Sequence, residues 1–327
     1  MQNIRSAAVL ASLMLFLPAA VLLLPAYTGR NENRCSDIFN ADTPFYRVLI
    51  TAEDTVREIS VRDYLIGAVA AEMPAEYERA ALCAQTIACH TYAERMRLIH
   101  QTEPDGSIDG ADFSDDSSRY QAFYTDAQLH AFWGDSYEAN YKKIAEAVDA
   151  VGNLVLYYEG APIVAAFHAV SAGETESAKT VWCTDLPYLV SVPSAEDTDC
   201  PTFESSCVFS AKTLSAALQA AHPALKLPDD AAEWLGAPDC SDAGTVLRIR
   251  IGNDTFTGAE LREILALRSA CFTVSFDAES RLFSFTVHGR GHMVGMSQYG
   301  AHQMARAGAD FREILLHYYP GTELVIL

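Results

Sequence analysis

The sequence has few basic residues and no C-x-x-C pair of cysteines. Its 327 residues contain 23 Lys and Arg against 43 Asp and Glu, which gives a formal net charge of −20. Nucleic-acid binding requires clustered cations that neutralise phosphates, so this balance argues against nucleic acid as a partner and against electrostatic docking on anionic lipid. None of the eight cysteines forms a C-x-x-C pair, which disfavours a zinc ribbon and a thioredoxin-like redox motif.

The cysteines that are present are compatible with a compartment outside the cytosol, where an even number can form disulfides. Cys200 and Cys207 lie close together in a turn-rich stretch and could pair, although connectivity cannot be read from sequence. Cys83 and Cys89 lie in an alanine-rich helical stretch. This pattern predicts that both behave as small buried apolar residues.

One long uncharged apolar run stands at the start of the chain, over residues 7–27. A helix of that length spans roughly 30 Å, about one hydrocarbon core. The run is longer than an ordinary signal-peptide core and has no clear A-x-A cleavage site, so an uncleaved anchor is favoured over a cleaved signal peptide. We therefore expect a membrane anchor at residues 1–28, a linker at 29–44 and a catalytic domain at 45–327, on the extracytoplasmic side of the cell membrane.

The rest of the chain mixes helical and strand patterns without regular βαβ alternation, and no internal repeat is visible. This favours an α+β fold, with a mixed or antiparallel sheet and packed helices, preceded by one transmembrane helix. Predicted strands cover residues 45–51, 56–61, 154–158, 163–170, 247–251, 272–277 and 282–289. Predicted helices cover residues 62–71, 76–100, 137–150, 210–221, 260–267, 301–307 and 311–318. Residues 102–118 and 193–210 are predicted to be irregular, and the aspartates in the first do not match an EF-hand.

Glu72 is an isolated carboxylate in the apolar stretch AAEMP. It should lie at the C-terminal end of a helix, because the residue before Pro74 is disfavoured in the helical region. The helix dipole and burial would both raise the pKa of Glu72, as a general acid at neutral pH requires. The N-terminus of the following helix would act in the opposite direction. On these residues alone, a structural carboxylate at a helix end is the alternative.

A glycine-rich segment, HGRGHMVGMSQYG, covers residues 288–300. It matches neither the G-x-G-x-x-G fingerprint nor the G-x-S-x-G frame around Ser297, and its two histidines lack the glutamate of a zincin. Its polar side chains beside glycines suit hydrogen bonds to sugar hydroxyls and amides, although a tight turn with satisfied polar groups is the alternative. His168, at the end of a predicted strand, could contact substrate, bind a metal or be a core histidine.

Taken together, these segments resemble the stage II sporulation protein D family, which includes the amidase-enhancer domains of wall-modifying proteins. The resemblance covers roughly residues 45–327, and long motifs in this order are much more specific than any one of them. The matching segments are residues 61–74 (VRDYLIGAVAAEMP), 81–92 (ALCAQTIACHTY), 167–173 (FHAVSAG), 187–189 (PYL), 257–258 with 261–262 (TG, LR), 267–269 (LRS), 289–301 (GRGHMVGMSQYGA) and 317–322 (HYYPGT).

The resemblance implies a membrane-anchored lytic transglycosylase that acts on peptidoglycan glycan strands during engulfment in spore formers. It also implies a partner cell-wall amidase, which removes the stem peptides, and membrane engulfment proteins as further partners. Glu72 matches the family's acidic catalyst, which protonates the glycosidic oxygen and then takes the proton of the 6-hydroxyl of N-acetylmuramic acid. The family motifs further imply a sugar cleft lined by His168, Ser171, His292, Ser297, Gln298 and Tyr299.

The chain departs from the usual family pattern in three places. His90 stands where the family has Arg, the Ser-x-Ser-Gly-Gly run is reduced to residues 169–173 (AVSAG), and Met293 replaces a glycine. Imidazole does not reproduce the guanidinium fork. Some relatives carry a structural zinc near the Ser-Gly loop, but no Cys lies between His168 and Trp182, so we expect no metal and no cofactor.

Two other function classes are compatible with these residues. One is a non-catalytic glycan-binding protein that stimulates a cell-wall amidase, with Glu72 in a structural role. The other is a cysteine hydrolase that uses Cys89 and His90, which is weak because neighbours along a helix point apart.

Overall fold

A computed structural model describes residues 45–327, which divide into two compact units. The first unit comprises residues 45–166, Met304–Leu316 and Gly321–Leu327, and the second comprises Phe167–Gln303 and His317–Pro320. The predicted anchor and linker, residues 1–44, lie outside the described residues. Among residues 45–327, none of the helices has the length and hydropathy of a membrane span.

The elements alternate irregularly along the chain, as an α+β fold requires. In chain order they are β1 (Phe45–Ile50), β2 (Thr55–Ser60), α1 (Val61–Glu72), α2 (Arg79–Thr102), β3 (Phe113–Ser114), α3 (Asp126–Trp133), α4 (Tyr137–Val151), β4 (Leu154–Tyr158), β5 (Ala161–Pro162), β6 (Phe167–His168), α5 (Ala178–Trp182), β7 (Glu204–Ser210), α6 (Ala211–Ala221), β8 (Asp239–Cys240), β9 (Val246–Ile251), β10 (Asp254–Phe256), α7 (Gly258–Ile264), β11 (Phe272–Asp277), β12 (Leu282–His288), β13 (Met296–Ser297), α8 (Gln298–Arg306), α9 (Phe311–Tyr318) and β14 (Glu323–Ile326).

The core of the first unit forms around α2, which packs against α1, α4 and β4. Helix α1 begins at the cap residue Ser60, whose Oγ accepts the backbone N–H of Asp63 across 3.0 Å. It ends where Met73 adopts an extended backbone before Pro74. Strand β1 is joined to α2 by a buried hydrogen bond of 2.5 Å from Tyr46 Oη to Glu94 Oε1.

The second unit contains two small antiparallel sheets, with strand orders β11–β12–β7 and β10–β9–β8. Their apolar faces share one core with α6 and α7, built around Leu214, Phe256, Phe283 and Phe285. Strands β6 and β13 form a separate parallel pair, in which His168 lies opposite Ser297. This pairing brings two predicted site motifs together although they are more than a hundred residues apart in sequence.

The α+β prediction is confirmed, but the described residues form several small sheets rather than one mixed sheet. The helices at 62–71, 137–150, 210–221 and 311–318 are confirmed within about two residues, and the helix predicted from residue 76 begins at Arg79. Glu159 and Gly160 form a tight turn between β4 and β5, with φ of +49° and +78° as a two-residue hairpin requires.

Three expectations are wrong in detail. The strand predicted over 163–170 is replaced by the short β5 and β6, because β6 pairs with β13 instead of continuing the hairpin. Residues 204–210 form β7, and residues 113–114 form the buried β3 beside β1, so neither predicted loop is wholly irregular. The pairing of Cys200 with Cys207, which the sequence left open, is not formed: both carry free thiols, and Cys207 lies within β7 opposite Phe285.

Candidate active site

Glu72 is the last residue of α1 and keeps part of its surface accessible to solvent. The backbone N–H of Ala122 donates to Glu72 Oε1 across 3.1 Å. Helix α2 begins only at Arg79, so a loop separates Glu72 from the helix N-terminus that was expected to stabilise its anion. The carboxyl group therefore lies at the negative end of α1 and is oriented by a segment fifty residues further along the chain.

Burial raises the pKa of Glu72 from 4.5 to about 7, and the hydrogen bond from Ala122 opposes this shift. Desolvation is therefore the dominant effect, as predicted for a carboxylate in an apolar stretch. At neutral pH the protonated and ionised forms of Glu72 are then comparably populated. A group in this state can both donate and accept a proton without a large energetic penalty.

The segment that carries Ala122 is packed directly against α1. The N–H of Tyr124 donates to the carbonyl oxygen of Gly67 across 3.2 Å. A Cβ atom added to Gly67 would lie 2.3 Å from Tyr124 O and 2.5 Å from the ring of Phe123, so only glycine permits this approach. The geometry around Glu72 thus depends on a glycine five residues earlier in the same helix.

Three phenol and thiol groups of the first unit are close enough to Glu72 to respond to its charge. Burial is the main cause of the raised pKa values of Tyr64, Cys89 and Tyr92, and the Glu72 carboxylate raises each of them further. All three are therefore neutral at physiological pH. Tyr64 and Cys89 are buried, whereas Tyr92 keeps some accessible surface.

A row of aromatic side chains extends over the surface of the first unit from the segment that contacts Glu72. Successive ring centroids are separated by 5.6, 6.2, 6.2 and 5.4 Å along Tyr124, Phe132, Trp133, Tyr137 and Tyr141. None of the five is buried, and Phe132 is 41% exposed. Contiguous accessible aromatic surface is typical of ligand-binding sites. Sequence reasoning missed this row, although adjacent Phe132 and Trp133 between two polar stretches were a signal.

In the second unit, His168 and His292 lie side by side, with ring centroids 5.8 Å apart. His168 is fully buried, and its Nδ1 lies 3.2 Å from Val294 O, which assigns the proton to Nδ1. Its Nε2 is buried with no hydrogen-bond partner among the described residues. Burial lowers the pKa of His168 to about 4 and that of His292 well below its usual value, so both imidazoles are neutral.

Ser171 and Ser297 meet at the buried carboxylate of Asp197. The N–H of Ser171 donates to Oδ2 across 2.8 Å, and Ser297 Oγ donates to Oδ1 across 2.9 Å. Ser297 Oγ also accepts the N–H of Gly300 across 3.1 Å. Because both serine side chains are fully buried, they hold the loop in place rather than present hydroxyls to solvent. Sequence reasoning missed Asp197, which stands among other acidic residues in a stretch predicted to be irregular.

The remaining predicted residues belong to the same part of the second unit. Gln298 is buried at the start of α8, and the N–H of Tyr299 donates to Ala169 O across 3.1 Å. The second unit thus brings together all six predicted substrate-binding residues, whereas Glu72 belongs to the first unit. That the seven act in one sugar cleft stays a prediction.

The cysteine-hydrolase hypothesis is wrong. Cys89 is completely buried, its Sγ accepts a hydrogen bond from Gln85 Nε2 across 3.3 Å, and burial raises the pKa of its thiol. A protonated, inaccessible thiol is not a nucleophile. His90 is a buried core histidine whose Nδ1 lies 3.2 Å from Leu154 O, where it joins α2 to β4. Cys83 is buried, as predicted.

The zinc site of some relatives does not fit the residues found here. Within residues 45–327, no three His, Cys, Asp or Glu side chains are grouped so that they could hold a metal ion. Cys183, the cysteine nearest to His168 in sequence, is exposed at the end of α5. We therefore assign no step of the chemistry to a metal.

The sequence is similar to known proteins over most of its length. The profile of the family described as Stage II sporulation protein matches residues 51–158. Stage II sporulation protein D of Bacillus subtilis is 34% identical over 308 residues, which cover 93% of this chain and 84% of that relative. The protein of the same name from Bacillus amyloliquefaciens is 34% identical over 86% of this chain and 78% of its own length. The amidase enhancer of Bacillus subtilis is 27% identical over 80% of this chain and 40% of that protein.

Proposed function

The chain belongs to the stage II sporulation protein D family, and from that premise we propose that it is a lytic transglycosylase that cleaves peptidoglycan glycan strands freed of their stem peptides. Family membership supports a role in the cell wall during sporulation. The observation that carries the enzymatic assignment is the partly exposed Glu72, whose pKa is raised to about 7 by burial. Strongly perturbed pKa values are enriched at functional sites, which favours a catalytic role over a structural one.

In this mechanism, Glu72 performs both proton transfers. The protonated carboxyl donates its proton to the glycosidic oxygen that joins C1 of N-acetylmuramic acid to the next sugar, and the C1–O bond breaks. The 6-hydroxyl of the same N-acetylmuramic acid then attacks C1. The carboxylate of Glu72 takes the hydroxyl proton, so the 1,6-anhydro ring closes and the enzyme returns to its starting state. No water is consumed, and the second carboxylate of an ordinary glycosidase is not required.

The hydrogen bond from Ala122 supports the second of these steps. Between the two proton transfers Glu72 is ionised, and the donated N–H stabilises the anion. Burial favours the protonated form, which is needed first. The two opposing influences keep the pKa near neutrality, where the cost of either form is small.

The aromatic row supports a sugar polymer as the ligand. The C–H faces of pyranose rings are apolar and pack on aromatic rings, while their hydroxyls remain in water. The row begins at Tyr124, two residues from Ala122, and continues to Tyr141 within the same unit as Glu72. A glycan strand that has its scissile bond at Glu72 would therefore extend along this row.

The proposed location and partners of the protein follow from the family resemblance and from the apolar run at residues 7–27. We propose a single-pass anchor in the cell membrane, with the catalytic domain on the extracytoplasmic side. The partners would be a cell-wall amidase, which removes stem peptides before cleavage, and membrane proteins of engulfment. The similarity to an amidase enhancer supports the link to an amidase.

The test uses purified full-length protein and glycan strands stripped of their stems. Mass spectrometry of the wild-type reaction should show 1,6-anhydro-N-acetylmuramic ends. Glu72→Gln should abolish these products but retain strand binding, because the amide keeps the shape of the side chain and loses its proton transfer. Glu76→Gln is the matched control, since Glu76 is an exposed carboxylate just beyond Pro74. It should form product at the wild-type rate.

The similarity to an amidase enhancer also favours a second candidate, a non-catalytic glycan-binding protein that stimulates an amidase. In that case the wild type yields no anhydro ends. It would bind strands and raise the rate of stem removal by an added amidase, and Glu72→Gln would leave both properties unchanged.

A further inference from the structure

Three arginines are brought together in the second unit of this acidic chain. Arg262 lies in α7, and the N–H of Leu267 donates to its carbonyl oxygen across 2.9 Å. The N–H of Gly291 donates to Arg268 O across 3.0 Å. This hydrogen bond brings the backbone next to Arg290 into contact with the backbone of Arg268. Two short loops thus converge, one after α7 and one after β12.

The loop that carries Arg290 is held firmly in place. The backbone N–H of Arg290 donates to Val170 O across 2.7 Å, and the carbonyl oxygen of Arg290 accepts the N–H of Val170 across 3.1 Å. The backbone of Arg290 is therefore fixed to the strand end that also carries His168. Arg290 and Arg262 are partly buried, whereas Arg268 is exposed.

The charges of these arginines act in two neighbouring pairs, Arg262 with Arg290 and Arg290 with Arg268. Burial lowers the pKa of Arg262, the carboxylate of Glu263 opposes this shift, and the neighbouring Arg290 adds to it. Burial also lowers the pKa of Arg290, and the neighbouring Arg268 adds to that shift. Arginine stays charged at any physiological pH, so this arrangement concentrates positive charge on one surface of a chain with a net charge of −20.

The cluster also borders the two motif histidines. The charge of Arg262 lowers the pKa of both His168 and His292. His168 Nε2, which is fully buried without a partner among the described residues, is an unused hydrogen-bond acceptor in the same region. Cationic donors beside the glycine-rich segment suit a ligand that carries a carboxylate.

We propose that Arg262, Arg268 and Arg290 form a carboxylate-binding site for the lactyl group of N-acetylmuramic acid. This inference rests on the proposed function and names the group that the protein recognises in its substrate. In intact peptidoglycan the lactyl carboxyl forms the amide bond to the stem peptide and therefore carries no charge. Removal of the stem leaves a free carboxylate on each N-acetylmuramic acid, and a guanidinium fork binds a carboxylate through two parallel hydrogen bonds.

The site gives a physical reason why stem removal would precede cleavage. The charge that the arginines bind exists only after an amidase has acted. It also explains how a strongly acidic protein can hold an anionic polymer, because a local cluster outweighs a diffuse repulsion that salt screens. The arginines are thus assigned to substrate selection, and the proton transfers are left to Glu72.

The test measures binding in the Glu72→Gln background, so that no strand is cut. The ligands are stem-free strands, the same strands with their lactyl carboxyls converted to neutral methylamides, and chitin oligosaccharides, which have no lactyl group. We expect the full-length Glu72→Gln protein to bind free-carboxylate strands roughly tenfold more tightly than methylamide strands or chitin, as one charge-assisted contact would give. Raised salt should reduce this difference.

Arg290→Gln and Arg268→Gln, each added to that background, should bring the affinities for the two kinds of strand close to equality. Arg268 is exposed, so its variant tests the site even where Arg290→Gln impairs folding. Arg248→Gln is the matched control, because Arg248 is an exposed arginine on β9 of the same unit. It removes the same charge and should keep the tenfold preference.

Three outcomes would overturn the site. They are equal affinity for free and methylamide strands, an undiminished preference in both arginine variants, or displacement of strands by a glycerol-phosphate polymer at lower concentration than by acetylmuramate. The last outcome would identify a phosphate site instead. Carboxylate-selective binding without anhydro products from the wild type would refute the proposed enzyme and keep the site. Equal cleavage of free and methylamide strands, with anhydro products from both, would refute the carboxylate site and support the proposed enzyme.

Discussion

Ala122 and Glu72 are joined by a 3.1 Å hydrogen bond from the backbone N–H of the first to Oε1 of the second. This bond ties the end of α1 to the segment that precedes α3. The carboxyl group is thus oriented by backbone, which cannot be removed by a side-chain substitution. Its pKa of about 7 is the net result of burial, which raises it, and this bond, which lowers it.

The rate of strand cleavage should fall as pH rises through 7. Glu72 must begin each turnover protonated, and its pKa is raised to about 7. We expect kcat/KM at pH 8 to be about a tenth of its value at pH 5, because the protonated fraction falls tenfold per unit above the pKa. Initial rates between pH 5 and 9 measure this. A profile that is flat up to pH 9, or that breaks near pH 4.5, would show that Glu72 is not the acid.

The same shift predicts the effect of Glu72 on stability. A carboxyl whose pKa is higher in the folded state than in the unfolded state destabilises the fold above the unfolded pKa of about 4.5. The penalty is absent at pH 4, grows between pH 4.5 and 7, and then stays constant at no more than about 3 kcal/mol. Thermal unfolding should therefore show Glu72→Gln to be more stable than the wild type at pH 8 and equal to it at pH 4. Equal stability at both values would refute the raised pKa.

Gly67→Ala should disturb the surroundings of Glu72 indirectly, by displacing the segment that carries Ala122. The new Cβ would lie 2.3 Å from Tyr124 O, so the segment that carries Ala122 must move. We expect a loss of about 1–3 kcal/mol in the free energy of unfolding and a fall in kcat of tenfold or more, since catalytic geometry tolerates little displacement. Gly106→Ala is the control, because nothing lies within 4 Å of the added Cβ. A Gly67→Ala protein with the wild-type kcat would show that the packing of this segment against Gly67 is not needed for catalysis.

Phe132→Ala should weaken strand binding and leave the chemistry intact. Phe132 is 41% exposed in the middle of the aromatic row. Loss of one aromatic contact costs about 1 kcal/mol, so KM for strands should rise about fivefold while kcat stays within twofold. Phe45→Ala, which removes a 44% exposed ring at the start of β1, should change neither constant. If the two variants behave alike, the row is not the glycan surface.

Local chemical signals in the sequence suffice for much of the fold. Helix α1 follows from the serine cap at its start and the proline after its end, and the hairpin after β4 follows from Glu159 and Gly160. The position of Glu72 at a helix end, and the direction of its pKa shift, could be predicted for the same reason. Each of these depends on residues within a few positions of one another.

The features that sequence reasoning missed depend on pairing between distant segments. Strand β6 forms because Phe167 and His168 pair with β13, and β3 forms because Phe113 and Ser114 pair with β1. The hydrogen bonds of Asp197, the contact of Ala122 with Glu72 and the convergence of the three arginines have no local pattern. Only the tertiary structure brings these groups within reach of one another.

We propose that Glu72 closes the anhydro ring without the attack of water, and cleavage in H₂¹⁸O distinguishes this route from hydrolysis. We expect the new muramic ends formed by the wild-type protein to be 1,6-anhydro sugars without ¹⁸O, and we expect Glu72→Gln to form none. New ends that are reducing sugars labelled with ¹⁸O would contradict it, because they would show that water, rather than the 6-hydroxyl, completes the reaction.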